Sequence, residues 1–375
     1  MSPPSLFAGL RLLLVGPKQP PAGGMATQTE QLFRLLREGG ADVEYLPTNL
    51  AHRPAFVARV PVLRAMVRLA QYLSVAWQAC GRADVIHLMA NSGWSWHLFA
   101  APVILIGRLR GRRIVVNYRG GGAAAFLGRQ SRWVRPVLER SDLLIVPSGF
   151  LESVFAAHGV AARVVPNVVD LDRFSPAPER DTAAPHLVVA RHLEAIYDNA
   201  TALRAFARVR NELPQARLTV AGIGPERVRL EQLATDLGVR DAVAFPGQLD
   251  RRAMAELYRE ADVVLNPSLT DNMPNSVLEA MASGVPVVSS RVGGVPWILR
   301  DGETGLLTAP GDAAAIADAT LRLCSDRALR RRIADAALAE VRRYRWPEVA
   351  PLLAAAYRGS PHGTSRQERE GVLHA

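Results

Sequence analysis

Short apolar runs alternate with stretches of helical periodicity along this chain, and the alternation stops once and restarts. In the first half, Leu10–Val15, Val43–Leu46, Val85–Met89, Ile114–Tyr118, Leu143–Val146 and Arg163–Val165 read as strands. In the second half, Leu187–Ala190, Leu218–Ala221, Val243–Phe245, Val263–Asn266, Val285–Ser289 and Gly305–Leu307 do the same. Their near-continuous Val/Ile/Leu character suits parallel strands covered on both faces. Amphipathic segments lie between most of them, at 199–211, 225–237, 250–260, 276–282, 312–324 and 326–343 in the second half. Thr27 and Glu30 have the spacing of a capping box for the first helix, and Gly39-Gly40 marks its end. The fold class is therefore α/β: two doubly wound domains facing each other across a cleft. Residues 1–168 form the first domain and 186–346 the second, joined by a polar, proline-bearing linker at 169–185. A final helix is expected at 347–358, and 359–375 is polar enough to be disordered.

A length of 375 residues fits two domains. The two cysteines, Cys80 and Cys324, have neither a pairing pattern nor metal-ligand spacing. A disulfide framework and a structural zinc site are excluded, which fits a reducing compartment. No apolar run reaches membrane-spanning length, and residues 1–9 lack a charged segment before an apolar core, so neither a membrane span nor a signal peptide is expected. The formal net charge is +10, with a single lysine, Lys18, among 45 basic residues. Residues 107–140 hold nine arginines and one acid, and residues 51–82 five arginines and none. Such surfaces attract nucleic acid, acidic lipid headgroups or phosphorylated substrates, and they also fit plain solvated faces. No nucleic-acid reader motif accompanies the charge, so no nucleic-acid partner is expected. Residues 53–80 place arginines among apolar residues at helical spacing, which suits either a domain helix or contact with an anionic membrane.

Three features carry chemistry. Gly23-Gly24 stand between the first strand and its helix, where backbone N–H groups and a helix N-terminus can receive an anion. Arg191 follows a strand and can fork onto phosphate oxygens at the crevice. In 266–311, Asp271 lies in a loop and Glu279 about one turn into the next helix, so both can face one crevice. The loop Asn272, Met273, Pro274 and Asn275 brings backbone groups to that helix N-terminus, and carboxylates there suit sugar and ribose hydroxyls.

Several spaced motifs then coincide in order: Gly23-Gly24; Pro166, Asn167, Asp170 and Phe174; Ala221 to Pro225; Pro267-Ser268; Glu279 to Val288; Gly293–Pro296; and Asp301–Leu306. To about residue 358 the chain resembles a retaining glycosyltransferase of the GT-B fold, glycosyltransferase family 4. The resemblance implies two Rossmann-like domains, with the final helix 347–358 crossing back onto the first. It implies a nucleoside-diphosphate sugar as donor substrate, no cofactor and no metal. Glu279 would hold the donor ribose, Asp271 the donor sugar, the 272–275 loop the sugar and diphosphate, and Arg191 with Gly23-Gly24 the diphosphate. Three positions depart from the family pattern. Ile196 stands where a lysine is usual, Asp271 where a glutamate is usual, and Arg119-Gly120 where a histidine-glycine pair is usual. Arg119 is a candidate to restore the lost positive charge. His87, closing a strand, is a candidate substrate contact, and His97 is assigned a structural or acceptor-side place. Asp170-Leu171-Asp172 spells D-x-D, but at a position where the family has its own motif, so no metal is assigned to it. The implied acceptor is a glycan or polyprenyl-linked saccharide of cell-surface or exopolysaccharide assembly, met in the cytoplasm or at the inner face of the plasma membrane. The loss at Ile196 also fits a catalytically silent nucleotide-sugar-binding partner. GDP or UDP as donor base, and oligomeric state, stay open at this level.

Overall fold

The computed structural model describes residues 6–19, 23–49, 61–177 and 184–359, with backbone alone at 61–65. Residues 53–60 of the arginine-bearing stretch, the middle of the linker and the tail beyond Gly359 lie outside the described residues. The first sheet comprises β1 (Arg11–Gly16), β2 (Asp42–Pro47), β3 (Val85–Ala90), β4 (Arg113–Tyr118), β5 (Leu143–Val146) and β6 (Arg163–Val164). They are parallel and lie in the order β2-β1-β3-β4-β5-β6. Its helices are α1 (Gly24–Glu38), α2 (Pro61–Arg82), α3 (Ala101–Leu109), α4 (Ala123–Leu138) and α5 (Gly149–Ala157).

The second sheet comprises β7 (His186–Ala190), β8 (Arg217–Ala221), β9 (Val243–Gly247), β10 (Val263–Asn266), β11 (Val287–Ser290) and β12 (Leu306–Thr308). These too are parallel, in the order β12-β11-β10-β7-β8-β9. Around them run α6 (Asn199–Glu212), α7 (Arg227–Asp236), α8 (Arg251–Arg259), α9 (Asn275–Ala282), α10 (Ala313–Ser325) and α11 (Arg327–Val341), followed by α12 (Trp346–Arg358). This is the GT-B architecture.

Parallel strands need cover on both faces, and the burial follows. Every residue of β3 is buried. Helices α2 to α5 cover one face of the first sheet, through Tyr72, Val103, Phe126 and Phe155 against Ile86, Leu88 and Val116. Helices α1 and α12 cover the other, through Leu36, Leu353 and Tyr357 against Leu12, Leu14 and Val115. Although last in sequence, α12 thus belongs to the first core. Trp346 stacks on Phe7 at 5.6 Å, and the Arg113 guanidinium donates to the Ala356 carbonyl at 3.1 and 3.0 Å.

Two local expectations are corrected. Helix α1 starts at Gly24, three residues before Thr27, so Thr27 does not cap it. Instead Thr27 Oγ1 accepts from Gln19 Nε2 at 3.0 Å, and Glu30 accepts from the Gln19 amide at 3.0 Å, tying the β1–α1 loop to the helix. Strand β11 begins at Val287 rather than residue 285, because Pro286 has no N–H to give to a ladder.

Strand order reverses between β1 and β3 in the first sheet and between β7 and β10 in the second. Crevices open at such switch points, beyond the carboxyl ends of the strands. The two crevices face each other.

Candidate active site

Arg191 follows β7 and Asp271 lies in the loop after β10, so they extend from the two strands that flank the second switch point. Their side chains form an ion pair at 2.7 Å, each 11% exposed. The Arg191 guanidinium also lies 4.1 Å above the Tyr197 ring and donates to Ser276 Oγ at 3.4 Å. Glycines make this arrangement possible. A Cβ at Gly222 would stand 2.0 Å from the Arg191 carbonyl oxygen, and one at Gly293 the same distance from that of Asp271. Gly293 also takes φ +50°, which side chains rarely adopt. The A-G-x-G and G-G-x-P motifs therefore serve as backing for the Arg191 and Asp271 loops.

Both residues line a cavity of about 1270 Å³ between the domains. Gly23, Gly24, Asn91, Ser92, Arg119 and Gly120 to Gly122 line it from the first domain; Arg191, Ile196, Arg251, Asp271 to Ser276 and Glu279 line it from the second. Helix α9 points its first turn at this space. Its leading amides have no helical acceptor, and Pro274 at the cap supplies no side-chain oxygen. Within the expected amide cluster, Pro274 has no N–H, and the Asn272 amide donates to the carboxylate of Asp271 at 3.1 Å. Glu279, one turn into α9, accepts from the Tyr258 hydroxyl at 3.4 Å. Burial pushes its carboxyl up to about 7, against the opposing pull of Arg251 and Tyr258.

An amide web joins the domains at the cavity wall. Asn275 Oδ1 accepts from Gln28 Nε2 and Asn167 Nδ2, both at 3.0 Å, and Asn275 Nδ2 donates to the Gly24 carbonyl at 3.4 Å. Asn167 Nδ2 also donates to the Met273 carbonyl at 2.9 Å. Ser148 Oγ donates to Asn272 Oδ1. The P-N element of the sequence is thus a strut between the domains.

Arg119 donates from Nη2 to Asn167 Oδ1, and burial lowers its pKa to about 10, so it stays charged at neutral pH. Five arginines line the cavity: Arg34, Arg119, Arg173, Arg191 and Arg251. Asp271 holds Arg191, and the carboxylate of Asp170 lies 3.5 to 3.7 Å from Arg34, Arg173 and Arg251. Among the described residues no carboxylate is paired with Arg119. Ile196, 43% exposed, lines the same cavity and offers no cation at its position.

His87 is corrected. It does not line the cavity but is fully buried in the first core. Nδ1 faces the Tyr357 hydroxyl at 2.8 Å and Nε2 faces Asn117 Nδ2 at 3.2 Å. Burial, with the charge of Arg119, lowers its pKa to about 3 and keeps it neutral. His97 pairs with Gln130 at 2.6 Å and packs beside Trp94 and Phe126, a structural place. The Asp170 of D-x-D is ringed by arginines, and no group of three or more His, Cys, Asp or Glu that could hold a metal occurs among the described residues. Arg251, the first residue of α8, escaped sequence reasoning; its only signal was the Asp250 cap before it.

The model for Glycosyltransferase Family 4 matches residues 22–173, and that for Glycosyl transferases group 1 matches 173–339. A D-inositol 3-phosphate glycosyltransferase of Xylanimonas cellulosilytica is 34% identical across 90% of this chain and 91% of its own length. The chain belongs to glycosyltransferase family 4. Another relative, the D-inositol 3-phosphate glycosyltransferase of Corynebacterium jeikeium, is 31% identical over 62% of this chain, and that match spans 61% of the relative's length. In solved structures the same fold occurs in Anabaena HepE in complex with UDP-glucose, with TM-score 0.72, 18% identity and coverage of 93% of this chain and 100% of that one. The two models meet at residue 173, in the segment between the sheets. No helix among the described residues is long and apolar enough to cross a membrane.

Proposed function

We propose that this family 4 chain moves a hexose from a nucleoside-diphosphate sugar to a glycan or lipid-linked acceptor, with retention at the anomeric carbon. The observation that carries the reading is the Arg191–Asp271 pair at the second switch point, facing the α9 N-terminus and the Gly23-Gly24 loop across one cleft. A diphosphate needs fixed cations and N–H donors, and both converge there. UDP-glucose in the HepE neighbour supports a uridine donor, and GDP is the alternative.

In this reading Glu279 accepts from the ribose hydroxyls and Asp271 both steadies Arg191 and accepts from the donor sugar. The diphosphate takes Arg191, Arg119 and the leading amides of α9. Arg119 supplies the charge that Ile196 does not. As the bond from the anomeric carbon to the phosphate oxygen breaks, negative charge grows on that oxygen beside these donors. The acceptor hydroxyl attacks the same face, its oxygen bonds the anomeric carbon, and its proton passes to the departing phosphate oxygen. No protein base is needed, which agrees with the enclosed position of His87. The interdomain web keeps water from competing as acceptor. The chain's own cations and amides meet the leaving group, so the transfer runs without a metal.

The test is release of nucleoside diphosphate from UDP- and GDP-hexoses, with polyprenyl-linked saccharides and D-inositol 3-phosphate among the acceptors. Product configuration is read from the anomeric proton coupling. An α-linked product from an α-donor, still formed in EDTA, is expected; an inverted product would sink the mechanism. The exposure of Ile196 favours a second reading, a silent nucleotide-sugar-binding partner. Nucleotide binding without turnover of any donor would establish that one.

A further inference from the structure

Helices α2, α3 and α4 contain seven arginines and no aspartate or glutamate. They cover one face of the first sheet, with α3 in contact with both neighbours. Their outward side is also apolar. Leu109 is 76% exposed and Trp133 65%, and Trp94, in the turn before α3, is 78% exposed. Trp77 on α2 and Met66 near its start are exposed as well. Exposed rings and guanidinium groups share one level: Arg110 lies over Trp77 at 4.9 Å and Arg132 over Trp133 at 5.3 Å.

Arg82 and Arg135, at its edges, are paired with Glu44 and Glu139, while Arg108, Arg129 and Arg132 face no carboxylate among the described residues. A broad surface with protruding large apolar groups and such arginines between them marks a docking face. A second copy of the chain is a poor occupant, since a self-complementary contact would set arginine against arginine, and the carboxylates at the edge, Glu44 and Glu139, are already paired with Arg82 and Arg135 of their own chain. An anionic bilayer answers both features. Its headgroups meet the arginines, and the interfacial layer receives the tryptophan and leucine side chains. We propose that this face docks on an anionic membrane surface. Trp94 follows Asn91 and Ser92, which line the cleft, so the docked face ends at the cleft mouth. A sugar acceptor carried by a lipid would then enter the cleft without leaving the bilayer. The inference deepens the lipid-linked acceptor proposed above, and rests on it for its purpose alone.

The experiment is sedimentation of the full chain with phosphatidylcholine vesicles, with and without roughly one-third phosphatidylglycerol. Binding is expected with the anionic vesicles at low salt and is weakened by high salt. The pair Arg129→Glu and Arg132→Glu should weaken it at least about twentyfold, at about fivefold per arginine. The pair Leu109→Ser and Trp133→Ser should also weaken it, while Val228→Ser, an equally exposed position on α7, should not. Failure of the wild type to bind anionic vesicles, or equal binding by both double variants, overturns the proposal. A concentration-dependent dimer in ultracentrifugation, abolished by Leu109→Ser and Trp133→Ser, assigns the face to a second copy instead. Vesicle binding involves no turnover, so its loss with transfer to soluble acceptors intact rejects the surface and leaves the glycosyltransferase reading standing.

Discussion

Arg119 and Ile196 reach one cavity from opposite domains, and their chemistry is interlocked. With Arg191 held by Asp271, the guanidinium of Arg119 has no carboxylate partner among the described residues, so it is the one able to receive an anion at full strength. Arg119→Ala should lower donor kcat/KM by about 10- to 100-fold, the loss of one charged hydrogen bond worth about 1.5–3 kcal/mol. Adding Ile196→Lys to that variant should restore most of the loss, because the new ammonium enters the same space from the other wall. Steady-state kinetics on the wild type, both single variants and the double variant decide this, and strictly additive effects would mean that the two positions do not share a phosphate. Glu279 gives a second test. The native carboxyl keeps its proton up to about 7, whereas the unfolded one releases it near 4.5. Unliganded stability from this group is therefore full below 4.5 and falls as pH rises toward 7. Ribose hydroxyls donate to the ionised form, so nucleotide affinity should rise about tenfold per pH unit below 7 and level off above it. Titration calorimetry at three pH values should show this slope for the wild type and a flat line for Glu279→Gln.

At the scale of elements, the strands were legible and the partners across the cleft were not. Near-continuous apolar runs such as Ile114–Val116 and Leu143–Val146 have one good solution, a parallel strand between helix layers, and each lies within β4 or β5. The Thr27 cap failed because local capping preference yielded to the loop that Gln19 ties down. The Asn167–Asn275 contact joins residues 108 apart, and no local pattern carries such a pairing. His87 was misplaced because the sequence puts it at the close of a strand, at the cleft, whereas β3 runs on to Ala90 and α12, 270 residues away, closes over it. That burial has a consequence for α12. Native His87 stays neutral down to about 3, whereas the unfolded side chain takes a proton near 6.5. The unfolded state thus binds more protons in that window, and stability falls as pH drops through it, by up to about 5 kcal/mol at about 1.4 kcal/mol per pH unit. His87→Gln keeps a polar partner for Tyr357 and removes the titration. Its urea midpoint should be lower at pH 7 but fall less on going to pH 4. Parallel curves for the two proteins would place the acid sensitivity elsewhere.

For the molecule as a whole, the described residues join the two domains through polar contacts around Asn275, which makes their closure adjustable. Gln28 is the member of this web best suited to a test. It is 7% exposed, donates to Asn275 Oδ1 and to the Val168 carbonyl at 3.2 Å, and does not line the cavity itself. Gln28→Ala removes both bonds, but only the one to Asn275 joins the domains, so the closed arrangement should lose about 1 kcal/mol, the worth of one net hydrogen bond. A closed population then falls by roughly fivefold relative to the open one. The proposed chemistry turns that shift into an altered product ratio, because an open cleft admits water beside the donor. The variant should have a larger radius of gyration in solution scattering without nucleotide, and saturating nucleoside diphosphate should draw it back toward the wild-type value, since a ligand that contacts both walls favours closure. Donor hydrolysis should rise relative to transfer, while nucleotide affinity falls only by the added cost of closing. If scattering is unchanged and the hydrolysis ratio stays at the wild-type level, the web positions side chains locally and closure is governed by other contacts, such as the packing of Trp297 against Gly149.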